Sequence, residues 1–146
     1  MVLIENKKAH LRFEILETYS AGLELSGAEA KSLRDKRGSL DGARVIVRGG
    51  EAYVTGMTIP PYQPTNTDKG YDPERPRRLL LSKREIGALS DAESKKGLTT
   101  VPLEVYNNRH LKMRVAVVRG KGKKDRREDL KKKEATRDAE RALKRT

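Results

Sequence analysis

The sequence predicts a mainly β protein, a small antiparallel β-barrel with flanking short α-helices, followed by a basic C-terminal tail. Three observations carry this. Short stretches alternate apolar and polar residues and are separated by Gly, Pro and Asn turn signals. Two segments open with a helix start signal, Ser26 with Glu29 and Ser82 with Glu85, and no β–α–β rhythm points to a parallel sheet. From Gly120 onward the chain is almost all charge and holds no aromatic residue, too little apolar surface to join a core. The expected organisation is a folded body over 1–119 and a tail over 120–146 that is disordered alone.

The elements follow in order. Over Ala9 to Tyr19, Leu11, Phe13 and Ile15 alternate with Arg12, Glu14 and Glu17, which predicts a half-buried strand. Leu23-Glu24-Leu25 continues it or starts another. In SGAEAKSLRDKRG, Ser26 and Glu29 stand three apart, so each side chain can satisfy the other's free backbone N–H; a helix follows, with Gly38 as its stop. Arg44–Arg48 and Glu51–Met57 flank Gly49-Gly50, a two-residue hairpin signal. Gln63 to Arg78 carries turn residues, prolines and a basic cluster without periodicity, and reads as a long loop. After the apolar run Leu79–Leu81, the Ser82/Glu85 box opens a second helix through Ile86 and Leu89, extending toward Lys96 before Gly97. Val101–Tyr106 and Leu111–Val118 make a hairpin across Asn107–His110, and Val45–Val47 with Val115–Val118 are expected core. Among small barrels, the oligonucleotide-binding (OB) type suits the basic balance of the chain.

The 146 residues carry a formal charge of +12 at pH 7. The tail accounts for half of it, with 12 Lys/Arg against 6 Asp/Glu, at far higher density than the body. Such a surface attracts polyanions by counterion release, nucleic acid first among them. There is no cysteine, which removes disulfides, thiolate zinc sites and cysteine nucleophiles. The two histidines, His10 and His110, lie far apart, and the GxSxG, HExxH and GxxxxGK[ST] motifs are absent. No catalysis, cofactor or metal is expected. An Asp/Glu metal cluster assembled by folding, as in a nuclease, stays open, as does a general binder of structured RNA. The apolar start of MVLIENKKAH is too short for a secretory signal or a membrane span, so a cytoplasmic protein without membrane contact is expected.

Binding residues are therefore sought among the cations. Asn6, Lys7 and Lys8 can meet phosphates or sugar hydroxyls. Lys31 and Arg34 stand three apart and share a helix face. Arg75, Arg77 and Arg78 form the densest basic group of the body, with Tyr71 nearby as a stacking platform.

These motifs, taken together, resemble a known family. NKKA at 6–9, AGLELSGAEAKSLR at 21–34, GEAYVTGMTIPPY at 50–62, YDPERPRRLLLSKREI at 71–86, VPLEVY at 101–106 and VRGKGKKDRREDLKKKEATRDAERALK at the end are similar, in the right order, to the SsrA-binding proteins, the SmpB family. The resemblance implies an OB-type barrel and a monomer that binds transfer-messenger RNA (tmRNA, or SsrA RNA) and the ribosome in trans-translation. Alanyl-tRNA synthetase and elongation factor EF-Tu would be met indirectly, through tmRNA. It places Asn6, Lys7, Lys8, Gly22, Glu29, Lys31, Ser32, Arg34 and Leu89 on the RNA side, although the capping box already accounts for Glu29 and a core position for Leu89. In the tail it implies ribosome contacts by Lys121, Lys123, Lys124, Asp125, Arg126, Arg127, Glu128, Lys131, Lys132 and Lys133, with the tail becoming helical in the empty mRNA channel. Family members often carry an aromatic residue or histidine before that Asp; Lys124 stands there in this chain.

Overall fold

The computed structural model describes residues 1–63 and 69–120. Its elements are β1 (Val2–Glu5), α1 (Lys7–Arg12), β2 (Phe13–Leu23), α2 (Gly27–Arg34), β3 (Arg44–Arg48), β4 (Glu51–Thr55), β5 (Arg77–Leu80), α3 (Lys83–Ser94), β6 (Leu98–Asn108) and β7 (His110–Gly120). Every strand pairing is antiparallel. The order β6–β3–β4–β5–β2–β7 closes on itself through a β6–β7 pairing, so six strands make a barrel. β1 lies outside the ring on β6, which offers the same edge to β3 at Thr100 and to β1 from Glu104 to Tyr106. Closure protects strand edges that an open sheet would leave unpaired.

Both capping boxes form as expected. The Ser26 hydroxyl accepts from the Glu29 N–H at 3.2 Å while the Glu29 carboxylate accepts from the Ser26 N–H at 2.9 Å. Ser82 and Glu85 repeat the exchange at 3.2 and 3.0 Å. Gly49 and Gly50 have φ of 60° and 75°, the left-handed pair that a tight hairpin between β3 and β4 requires. β6 and β7 turn over still fewer residues than expected: Asn108 pairs with His110, and Arg109 alone, at φ 60°, makes the corner.

Two expectations need correction, and one strand is unforeseen. Ala9–Arg12 is helical, because Ala9 is buried against Val101, Leu103, Ala116 and Val118, a contact that a turn of helix delivers. β1 is not foreseen; it is a four-residue strand whose only hydrogen-bonded neighbour among the described residues is β6. Gly38 does not end α2, which stops at Arg34, four residues earlier. At Gly38 a Cβ would press within 3.2 Å of the Leu33 side chain and 3.3 Å of the Thr58 carbonyl oxygen, so the glycine lets the chain pass close beneath the hairpin.

The core fills the barrel with Val54, Met57, Ile59, Leu79, Met113 and Val115, closed off by Leu33 from α2 and Leu89 from α3. Each such aliphatic side chain contributes about 1.5–3 kcal/mol of burial. The expected boundary at 119/120 falls at the end of β7, whose last residue, Gly120, pairs with Phe13. The rest of the expected tail lies outside the described residues. Among the described residues no helix is long and apolar enough to cross a membrane, and no group of three or more His, Asp or Glu is placed to hold a metal.

Candidate nucleic-acid interface

The expected RNA-side residues divide into a buried set and an exposed set, and α2 shows why. Glu29 sits at the first turn of α2 facing inward and is fully buried. One of its oxygens accepts from the Ser26 N–H at 2.9 Å and from Arg75 Nη2 at 2.5 Å; the other accepts from Arg77 Nε at 2.6 Å. Arg77, on β5, is also fully buried, and it donates onward to the Met57 carbonyl at 2.6 Å and the Pro73 carbonyl at 2.9 Å. A buried arginine with every direction of its fork occupied is a structural clamp. It ties α2, the turn after β4 and the segment before β5 into one block. Burial alone pushes the Glu29 carboxyl up, but hydrogen bonds from Arg75, Ser26 and Arg77 outweigh it and hold the group below the ordinary carboxylate range.

Five of the expected RNA contacts are buried within the fold. Glu29 and Arg77 are both buried and neutralise each other. Ser32 is buried, with its hydroxyl donating to the Pro60 carbonyl at 2.7 Å. Asn6 is buried; its side-chain amide donates to the Pro102 carbonyl at 2.8 Å and its N–H to the Leu103 carbonyl at 2.7 Å, pinning α1 to β6. Leu89 is a core leucine at 1% exposure. Gly22 has a steric role as well: a Cβ there would lie 3.2 Å from Leu80 Cβ, where β2 and β5 meet.

The exposed set has six members. Lys7, Lys8, Lys31 and Arg34 all reach solvent, on α1 and α2. Lys7, Lys31 and Arg34 have no ion pair among the described residues, and Lys8 has only a loose one to Asp41 at 3.9 Å. Arg75 and Arg78 are exposed but engaged, Arg75 with Glu29 and Arg78 with Glu51 at 3.0 Å and Glu24 at 3.4 Å. The basic cluster of the expected loop is therefore largely spent within the fold, and its last two members belong to β5. Tyr71 is fixed by its hydroxyl, which donates to the Ile59 carbonyl at 2.7 Å; burial, then the nearby Glu29 charge, raises its pKa.

Two exposed cations escape the sequence reading. Arg12 and Arg44 line a cleft with Lys8, beside Gly42 and Val101. Arg12 stands four residues from Lys8 and would have been found had α1 been read as a helix. Arg44 joins only through the tertiary fold. A ring contact without a signal in the residue order joins α2's C-terminal side to the segment after β4: the Arg37 guanidinium lies 5.7 Å from the Tyr62 ring centroid and donates to the Tyr62 carbonyl at 3.2 Å.

A small barrel with cations presented on two short helices is common ground for many nucleic-acid binders, and comparison with known proteins decides among them. The family model described as SmpB protein matches residues 3–145. The chain belongs to the SmpB family. An SsrA-binding protein of Thermosipho africanus (strain TCF52B) is 44% identical over 146 residues, covering 99% of this chain and 97% of the relative. One of Gloeobacter violaceus (strain ATCC 29082 / PCC 7421) is 44% identical over 145 residues, covering 99% and 95%. A solved chain described under the words "tmRNA-SmpB: a journey to the center of the bacterial ribosome" superimposes with a TM-score of 0.70 at 38% identity, over 87% of this chain and 93% of that one. The SmpB match continues through the tail, where the candidates from Lys121 to Lys133 lie outside the described residues, as does the expected change from disorder to helix.

Proposed function

We propose that the protein binds the tRNA-like domain of tmRNA and delivers it to stalled ribosomes for trans-translation. The observation that carries this reading is the SmpB match over residues 3–145, body and tail together. The body supplies the RNA contacts through Lys7, Lys8, Lys31 and Arg34, joined by Arg12 and Arg44. Exposed cations that spend little charge inside the fold are the ones that can release counterions from phosphate. The tail, 120–146, acts separately: it enters the empty mRNA channel near the decoding centre and orders there as a helix against rRNA. Ordering costs about 1–2 kcal/mol per residue, so it needs the phosphate-lined groove and fails where mRNA already fills it. The protein works in the cytoplasm as a monomer and makes no covalent change; alanyl-tRNA synthetase and EF-Tu reach it through tmRNA.

The test is a pull-down from bacterial extract followed by sequencing of the bound RNA. Strong enrichment of tmRNA over other structured RNAs is expected. Even recovery of many structured RNAs would overturn the reading in favour of a general binder.

A further inference from the structure

We propose that the cleft between the start of α2 and the segment after β4 receives one unstacked nucleobase of the bound RNA, with an adjoining phosphate at Lys31. This rests on the RNA-binding reading above and names the part of the RNA that enters. The cleft holds about 520 Å³, within the roughly 300–1,000 Å³ usual for small-ligand pockets. Its walls include Lys31, Tyr62, Tyr71, Asp72 and Arg75.

Two rings are already fixed there before any ligand arrives. Tyr62 is 37% exposed. Arg37 holds it by the ring contact and the carbonyl hydrogen bond described above, yet Arg37 is not part of the cleft wall. Tyr62 itself lines the cleft, so its exposed surface is available there. Tyr71 is half-buried and anchored through its hydroxyl to Ile59, so its ring cannot swing away. Stacking on side chains that are already immobile costs little ordering entropy.

Charge orients the guest. Lys31 is exposed and has no ion pair among the described residues, which suits a phosphate. Arg75 keeps 44% of its side chain exposed while bonded to Glu29, leaving a guanidinium plane against which a base can lie. Of the two acidic residues on the wall, Glu29 is neutralised by Arg75 and Arg77. Asp72 spends Oδ1 on the Glu74 N–H at 2.9 Å, and its Oδ2 can accept from an exocyclic amino group. Adenine, cytosine and guanine carry such a group; uracil would have to use its ring N3–H instead.

The experiment uses the full chain and a transcribed tRNA-like domain of tmRNA, probed with dimethyl sulfate and kethoxal on base edges. One unpaired A, C or G is expected to be protected by the unaltered protein and by Tyr62→Phe, which keeps the ring. Tyr62→Ala should expose that base again and weaken binding about tenfold, with the rest of the footprint retained. Tyr62 is a surface side chain, and a matched melting curve separates loss of the ring from loss of the fold. Unchanged affinity and protection with Tyr62→Ala would overturn the pocket alone. Failure of the unaltered protein to bind this RNA would overturn the functional reading as well.

Discussion

Arg77 Nε donates to Glu29 Oε2 across 2.6 Å, and neither side chain has surface exposed to solvent. The two residues stand 48 apart in the chain, on β5 and α2. Together with Leu33 in the core and the Ser32–Pro60 hydrogen bond, their pairing seats α2, and with it Lys31 and Arg34, on the barrel.

Glu29→Gln should destabilise the fold by about 3–5 kcal/mol, because it leaves a buried guanidinium without its counter-charge. Glutamine at this position still completes a capping box, so loss of the helix cap is not the cause. Urea denaturation measures it as a lower midpoint at unchanged slope. A midpoint like that of the unaltered protein would show that the pair contributes nothing net.

Acid should unfold the protein through the same group. The Glu29 carboxyl titrates below its usual 4.5 in the folded state, so the unfolded chain takes up its proton first as pH falls. The stabilisation is complete above about pH 4.5 and is lost as pH drops through the folded value. Melting temperature followed from pH 6 downward should fall in that window. The Glu29→Gln variant should show a flatter acid limb, about one proton less steep.

Replacing Lys7, Lys8, Lys31 and Arg34 together with Ala should weaken RNA binding and reduce the slope of log affinity against log salt by about 3–4. Arg78→Ala should leave the slope within about half a unit, since Arg78 is already held by Glu51 and Glu24. A quadruple variant with the original slope would place the RNA on another face.

Ending the chain after Gly120 should separate the two activities. β7 is complete at that residue, so the barrel should melt within a few degrees of the full chain. Affinity for the tRNA-like domain should stay within about threefold, allowing for the lost tail charge. Tagging of incomplete chains on stalled ribosomes should disappear. A shortened protein that still supports tagging would end the proposal for the tail.

Much of this molecule follows from rules that act over a few residues. Ser26 with Glu29, Ser82 with Glu85 and Gly49-Gly50 each set their own local geometry, and α2, α3 and the β3–β4 hairpin are legible from them. The excess of Lys and Arg, the charge-dense end and the ordered series of family motifs are equally plain in the residue order. Which cations remain free is not. Arg77 and Lys31 look alike in a list of basic residues, yet one is buried in a clamp and the other stands in solvent. That difference arises because β5 pairs with both β4 and β2 and so carries Arg77 beneath α2, next to a carboxylate 48 residues away. Asn6 and Ala9 turn inward for the same kind of reason, since β6 offers them the Pro102 carbonyl and an apolar seat. A charged or polar side chain is driven inside only where distant strands bring it a partner, and strand pairing over such distances leaves no short-range pattern to read.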